Sequence, residues 1–223
     1  MEFFQNIASA WGIIGTGITI TLQVTFVAII GGLLGGTLLA LFAASKSRFL
    51  QAFTRIYVTL FRSIPLVMLL LWFYLIVPQA LKAVFNISPS VDIRLVSAMV
   101  AFVLLESAFF AEIVRSGIIG LSRGQFNASA SLGMTYMQSM RHIILPQAFR
   151  AVLPIIMTQC IVIFQDTSLV YVISLGDFFR NAVSIGERDG NLMQMLVFAG
   201  LVYWAICSSL SGLVRKLQQG STR

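Results

Sequence analysis

Five long apolar runs constrain this chain more than any other feature. They cover residues 17–43, 53–80, 95–114, 147–174 and 191–214. A helix needs about 20 apolar residues to cross the hydrocarbon core of a bilayer, and each run reaches that length. The chain is 58% hydrophobic and 10% charged, with a mean hydropathy of +0.91, which is outside the range of soluble domains. The sequence predicts an all-α polytopic membrane helix bundle of five spans, forming one domain over residues 1–223 whose first run is not cleaved.

The positions of lysine and arginine indicate how the spans are oriented. Basic residues follow the first, third and fifth spans: Lys46, Arg48 and Arg55; Arg115, Arg123, Arg141 and Arg150; Arg215, Lys216 and Arg223. Cytoplasmic segments carry the excess of such residues, so we expect the N-terminus outside and the C-terminus in the cytoplasm. The net charge of +7 then reflects topology and contact with anionic membrane lipid. Scattered basic residues do not form the stripe that nucleic-acid binding requires.

Catalytic and nucleotide-binding motifs are missing from the sequence. It contains no Gly-x-x-x-x-Gly-Lys-Ser/Thr, Gly-x-Ser-x-Gly or His-Glu-x-x-His pattern, so we predict that the chain is not an enzyme. If transport is active, its energy comes from another subunit. Glycines at positions 31, 32, 35 and 36 predict close helix packing within the first span. Cys160 and Cys207 lie within spans and His142 has no neighbouring ligand, so neither a disulfide nor a metal site is expected.

Asp166 is the first candidate for binding a substrate. Burying a carboxylate in a span is costly, and such groups usually line a pathway or pair with one another. Gln159 precedes Asp166 by seven residues, nearly two helical turns, so both side chains share a helix face. That face could hold an amino acid, with Asp166 accepting hydrogen bonds from the α-ammonium group. Alternatively, Asp166 and Thr167 satisfy each other near the outer surface; Ser168 completes this candidate group.

Arg62 is the second candidate, since its guanidinium group suits a substrate carboxylate and Pro65 frees backbone groups nearby. It could equally form a structural ion pair with Glu106 of the third span, which we also count among the candidate substrate-binding residues. Glu112 and Arg115 are three residues apart and are expected to form an ordinary pair on one helix.

A polar, small-residue segment at 124–146 interrupts the apolar chain and is predicted to dock a cytoplasmic partner. We expect a helix over 126–137 with Gly133 at its centre. The segment resembles the conserved cytoplasmic loop of bacterial ABC importer permeases, whose coupling helix seats in the ATPase subunit. Ala128, Gly133, Leu145 and Pro146 fit that pattern, and Asn127 stands where the family has Glu. The resemblance assigns coupling to the ATPase to Asn127, Ala128, Ser129, Gly133 and Pro146.

The resemblance extends over residues 12–215. It is carried by the segments Phe61–Val67, Leu71–Pro78, Ala111–Ile118, Leu145–Arg150, Phe164–Tyr171 and Ile185–Gly190. These are similar to successive blocks of the polar amino acid importer permeases, and within them to glutamate/aspartate importer permeases. The sequence leaves glutamine or asparagine open as substrates, and an ATP-independent secondary carrier or a membrane anchor as rival functions.

The resemblance also implies an assembly and a mechanism. It implies a type I ABC importer permease fold in a bacterial inner membrane. Two permease subunits, alike or different, would meet a dimer of ATPase subunits that bind ATP and Mg²⁺, and an extracytoplasmic substrate-binding protein would deliver the amino acid. This chain would carry no cofactor of its own. Rocking between inward-open and outward-open states would move the substrate by alternating access.

Overall fold

A computed structural model describes residues 10–79 and 92–221 of the chain, all of whose regular elements are helical. The elements are α1 (Trp11–Ala44), α2 (Arg48–Ser63), α3 (Leu66–Leu75), α4 (Arg94–Gly120), α5 (Arg123–Ser131), α6 (Tyr136–Ser139), a π-helical turn (Met140–Ile144), α7 (Leu145–Asp166), a 3₁₀ segment (Thr167–Ile173), α8 (Phe178–Arg188) and α9 (Leu192–Ser221). The predicted all-α fold is confirmed. The end of the second predicted span at residue 80 and the basic residue Arg223 lie outside the described residues.

The second predicted span is not one continuous helix. Among the described residues, four helical stretches are long and apolar enough to cross a membrane. There are five such spans only if α2 and the helix after it are counted as one span. That pair is bent by 99° at the break. Pro65 explains the break, because proline lacks an N–H group and excludes the residue before it from helical conformation. Pro65 itself has an extended ψ of 139° and precedes the first turn of α3.

Contacts divide the described chain into two compact units, and α1, α4 and α7 each contribute residues to both. Unit 1 comprises residues 10–30, 64–79, 92–103 and 160–221, and unit 2 comprises residues 31–63 and 104–159. The prediction that the whole chain acts as one transmembrane domain stays a prediction.

Unit 1 is organised around the N-terminus of α8. Its apolar core contains Ala10, Ile14, Phe178, Ala182, Ile185, Met195 and Ala199. Asp177 caps α8, accepting hydrogen bonds from the backbone N–H groups of Phe179 and Arg180. The N–H group of Phe178 donates to Thr21 Oγ1 at 3.1 Å, which ties α8 to α1. Helix α8 was not predicted from the sequence, although an aspartate followed by a helix is a recognisable N-cap signal.

Unit 2 is held together by close contacts among α1, α2, α4 and α7. Its core has two clusters, Leu39, Val58, Ala108 and Ala111 in one, and Ala40, Val114, Ile118, Met140, Ile144 and Ala148 in the other. A Cβ atom on Gly32 would lie 2.7 Å from Cβ of Glu106, and one on Gly36 would lie 2.7 Å from the backbone nitrogen of Ala111. Gly35 is similarly close to Ser107. The prediction of close helix packing is therefore confirmed for these three glycines.

Candidate functional site

Two of the predicted site residues meet in unit 2, at the contact between α4 and α7. Gln159 Nε2 donates a hydrogen bond to Glu106 Oε2 at 2.9 Å. The Glu106 side chain is 1% exposed, because the glycine face of α1 closes over it. A buried carboxylate is tolerated when hydrogen bonds satisfy it. Gln159 is half-buried, so it is the member of the pair nearer to a surface.

Arg62 lies in the same unit, at the C-terminal end of α2. Its guanidinium carbon stands 5.2 Å from the ring centroid of Phe109, the geometry of a cation–π contact. Phe109 follows Glu106 by three residues and occupies a neighbouring position on α4. Arg62 is nonetheless exposed, so its hydrogen-bond donors are available to a ligand. The hypothesis that Arg62 and Glu106 form an ion pair stays a prediction.

Asp166 belongs to unit 1 and ends α7, where the chain tightens into the 3₁₀ segment. Its half-buried carboxylate forms no hydrogen bond or ion pair with any residue that the structure describes. The helix is continuous from Gln159 to Asp166, as the predicted shared face requires. A carboxylate without a partner in an apolar span is a candidate for binding a cationic group.

Thr167 and Ser168 follow Asp166 but differ in their surroundings. Thr167 is fully buried, and its hydroxyl group donates to the carbonyl oxygen of Phe164 at 2.7 Å. Ser168 is half-buried. The hydroxyl group of Thr167 therefore bonds to the last turn of α7, and contact of either residue with a substrate stays a prediction.

The polar segment 124–146 is not one helix, and the prediction of a helix over 126–137 centred on Gly133 is wrong. Helix α5 ends at Ser131, and Gly133 adopts a left-handed φ of 72°. The N–H group of Met134 donates to Ser129 O, and that of Gly133 donates to Ala130 O. This pattern is a Schellman C-cap, whose left-handed position favours glycine. Gly133 therefore ends the helix.

The predicted coupling residues are distributed around this cap. Asn127 and Ala128 are exposed on α5, whereas Ser129 is 1% exposed and donates to Phe126 O. Pro146 is exposed at the second position of α7, directly after the π-helical turn. That wider turn avoids the clash that a proline ring makes with the carbonyl group four residues earlier in an α-helix.

Two apolar side chains in this segment were not among the predicted site residues. Leu132 is 78% exposed and Met137 is 65% exposed, although both lie in a polar region outside the predicted spans. The sequence could have indicated Leu132 and Met137, because each is an apolar residue that lies outside the apolar runs. The predicted ion pair of Glu112 and Arg115, in contrast, is confirmed at 2.6 Å.

The described chain thus combines helices long and apolar enough to cross a membrane with a few polar side chains within them. Residues 36–223 match the family described as binding-protein-dependent transport system inner membrane component, and the chain belongs to that family. It is thus an inner membrane permease of an ABC transporter, and membership in a family of transport components is consistent with the prediction that it is not an enzyme.

Individual relatives support this family and its fold. Over 203 residues, the chain is 56% identical to the glutamate/aspartate import permease protein GltK of Escherichia coli O6:H1, covering 91% of each chain. It is 33% identical to the arginine transport system permease protein ArtQ of Bacillus subtilis, covering 91% of this chain and 90% of that protein. The crystal structure of an amino acid ABC transporter with histidines matches with a TM-score of 0.82 and 27% identity, covering 97% of each chain. The fold is that of a type I ABC importer permease.

Proposed function

We propose that this chain is the permease subunit of an ATP-driven importer of glutamate and aspartate. The observation that carries the proposal is the 56% identity, over 91% of both chains, to a glutamate/aspartate import permease. A permease for arginine is more distant, at 33% identity. Glutamine and asparagine remain the alternative substrates, because they differ from the acidic amino acids only in the side-chain amide.

The charged residues within the spans suit an acidic amino acid. Asp166, which has no partner among the described residues, binds the α-ammonium group of the substrate. Arg62, exposed beside Phe109, binds a carboxylate in a bidentate manner. Gln159 offers donors and an acceptor, and the buried Glu106 orients its amide. Thr167 and Ser168 support Asp166.

The assembly follows the pattern of the family. A dimer of ATPase subunits, which bind ATP and Mg²⁺, docks on the surface formed by α5, Leu132 and Met137. A second permease, alike or different, completes the membrane part, and an extracytoplasmic binding protein delivers the substrate. The N-terminus is outside and the C-terminus is in the cytoplasm. Closure of the ATPases moves the permeases between outward-open and inward-open states.

Reconstitution of the complete transporter in lipid vesicles tests this function. Radiolabelled glutamate is supplied with the binding protein outside and ATP inside, and unlabelled aspartate, glutamine and arginine compete. We expect uptake that requires ATP and is inhibited by aspartate. Uptake driven by an ion gradient without ATP would contradict the importer, and stronger inhibition by glutamine would shift the substrate to the amides.

Arg62→Lys tests the role of the guanidinium group. Lysine keeps the charge but not the planar fork that binds a carboxylate through two hydrogen bonds. We expect uptake to fall on the order of tenfold while the complex assembles normally. Failure of assembly would return Arg62 to a structural role.

A further inference from the structure

Helix α2 presents three distinct faces, one of which is polar along its whole length. The residues on that face, called the polar stripe below, are Arg48, Gln51, Arg55, Thr59 and Arg62. Their spacings of three and four residues keep them within about 80° of one another around the helix axis. Thr54 and Val58 lie on an adjacent, buried face. Exposed apolar side chains occupy the remaining face: Phe49, Phe53, Ile56 and Leu60.

Unit 2 contains a polar cavity of about 320 Å³ next to this stripe. Its walls include Gln51, Thr54, Arg55 and Thr59 from α2, with Glu112 and Arg115 from α4. Three members of the polar stripe therefore reach the cavity, and the volume lies within the range of sites for small molecules.

The charges of the cavity do not cancel. Arg115 is bound by Glu112, whose carboxylate lies 2.6 Å from it. Arg55 forms no hydrogen bond or ion pair with any residue in the described part of the chain. The Gln51 amide nitrogen donates to Ser45 O and the Thr54 hydroxyl group donates to Leu39 O. The donors left for a ligand include the guanidinium group of Arg55 and the hydroxyl group of Thr59, a set that suits an anion.

We propose that this cavity is a second binding station for the transported substrate, at which Arg55 receives the side-chain carboxylate of an acidic amino acid as it leaves the membrane. The proposal rests on the function proposed above, with the N-terminal end of α2 towards the cytoplasm. Arg55 precedes Arg62 by seven residues, which places the two positions about 10 Å apart along one face of the helix. Two successive binding sites of moderate affinity along a pathway let an ion enter and still leave.

Lipid phosphate is the other anion that an arginine in this location could meet. The distribution of side chains on α2 argues against it. Phe49, Phe53, Ile56 and Leu60, which are 47–77% exposed and suited to acyl chains, lie on a face separate from the polar stripe. Arg55 is turned towards the polar cavity and away from that apolar face.

Transport kinetics provide the first test, using the complete transporter in vesicles. Arg55→Gln removes the charge, and Arg48→Gln is the matched control because Arg48 belongs to the same stripe but does not line the cavity. We expect Arg55→Gln to lower kcat for glutamate uptake on the order of tenfold, Arg55→Lys to recover part of it, and Arg48→Gln to stay within about twofold. Wild-type kcat in Arg55→Gln would overturn the proposal.

A labelling experiment tests occupancy independently of transport. Cys160 and Cys207 are replaced by Ser in the complete transporter, and Ala43→Cys then places one thiol at the cavity wall. We expect glutamate to slow its modification by a thiol reagent, glutamine not to, and Arg55→Gln to abolish the protection. A thiol at the exposed Ser47, outside the cavity, is the control and should react equally with or without glutamate.

The two experiments separate the possible failures. Absence of ATP-driven glutamate uptake by the wild-type transporter would refute the proposed function. Normal wild-type uptake without glutamate protection at Ala43→Cys would refute only the second station. If the effect of Arg55→Gln on kcat disappears in vesicles of phosphatidylcholine alone, Arg55 binds an anionic lipid headgroup and the proposal is overturned.

Discussion

Two carboxylates within predicted spans have opposite surroundings. Glu106 in unit 2 is 1% exposed and accepts a hydrogen bond from Gln159, and closely packed helices surround it. Asp166 in unit 1 is half-buried and has no partner among the described residues. Both are expensive to place in an apolar environment, and only Glu106 is stabilised by an observed contact with another helix. The difference teaches that a charge within a span does not by itself identify a binding residue. A charged side chain whose hydrogen bonds are not satisfied by the protein is the better candidate for contact with a substrate.

Asp166→Asn should have the largest effect on transport. It preserves the size of the side chain but removes the charge that holds the α-ammonium group. Loss of a desolvated charge contact costs on the order of 2–5 kcal/mol, so uptake should fall at least about 30-fold. Initial rates in reconstituted vesicles measure this, with thermal unfolding of the complex in detergent measured in parallel.

Asp189→Asn is the control for this substitution, because Asp189 pairs with Arg188 outside the spans. It should transport normally. Wild-type uptake by Asp166→Asn would contradict the proposal that Asp166 binds the substrate. It would also remove the functional difference between Asp166 and Glu106.

Glu106→Ala should instead lower stability. It leaves the amide of Gln159 without its observed acceptor and opens a void, with an expected cost of about 1–3 kcal/mol in the free energy of unfolding. Glu106→Gln retains an acceptor at nearly the same position and should stay within about 1 kcal/mol of wild type. Chemical denaturation in mild detergent measures both variants.

Uptake distinguishes orientation from direct binding at this pair. If Glu106 only orients Gln159, Glu106→Gln should import glutamate at a rate near that of wild type. A loss of uptake as large as that of Asp166→Asn, with stability intact, would place Glu106 in contact with the substrate and break the contrast between the two carboxylates.

Gly32→Ala tests the packing that buries Glu106. Its Cβ atom would stand 2.7 Å from Cβ of Glu106 and 3.3 Å from its carbonyl carbon, atoms that cannot move without shifting α4. Overpacking of this kind costs about 1–3 kcal/mol. Gly15→Ala in the same helix meets no atom within 4 Å and should be neutral or slightly stabilising. Equal unfolding midpoints for the two variants would show that α1 and α4 pack less closely than described.

The features predictable from the sequence were those that depend on many residues or on local spacing. Long apolar runs identified the spans, and the spacing of Glu112 and Arg115 identified their ion pair. Hydropathy averaged over a window could not show that Pro65 divides the second span, because one residue changes the average little while it changes the backbone greatly. Small residues around Gly133 suggested a continuous helix, but its left-handed φ depends on carbonyl acceptors in the preceding turn.

The candidate site was predictable only in part for the same reason. Arg62, Glu106, Gln159 and Asp166 were recognised because polar residues are rare in spans. The hydrogen bond between Gln159 and Glu106 joins residues 53 positions apart, and no local pattern specifies it. Arg55 was assigned to membrane topology from its charge, whereas its place in the polar stripe becomes meaningful only once the cavity beside it is known.

Asp177 offers a third carboxylate and the smallest expected effect. It is fully buried at the start of α8, outside the spans, and burial raises its pKa to about 6 despite hydrogen bonds from Arg180 N–H and Phe179 N–H. An acid whose pKa is higher when folded is stabilising while protonated, below about pH 4, and loses that contribution as the pH rises through 6. The free energy of unfolding should therefore decrease by about 1 kcal/mol between pH 5 and pH 7 through this group. Asp177→Asn keeps an equally good N-cap and should remove this dependence, as unfolding in detergent across that range would measure. If the variant retained the full decrease in the free energy of unfolding, a group other than Asp177 would cause the pH dependence. The burial of Asp177 in unit 1 would then not distinguish its contribution to stability from that of Asp166.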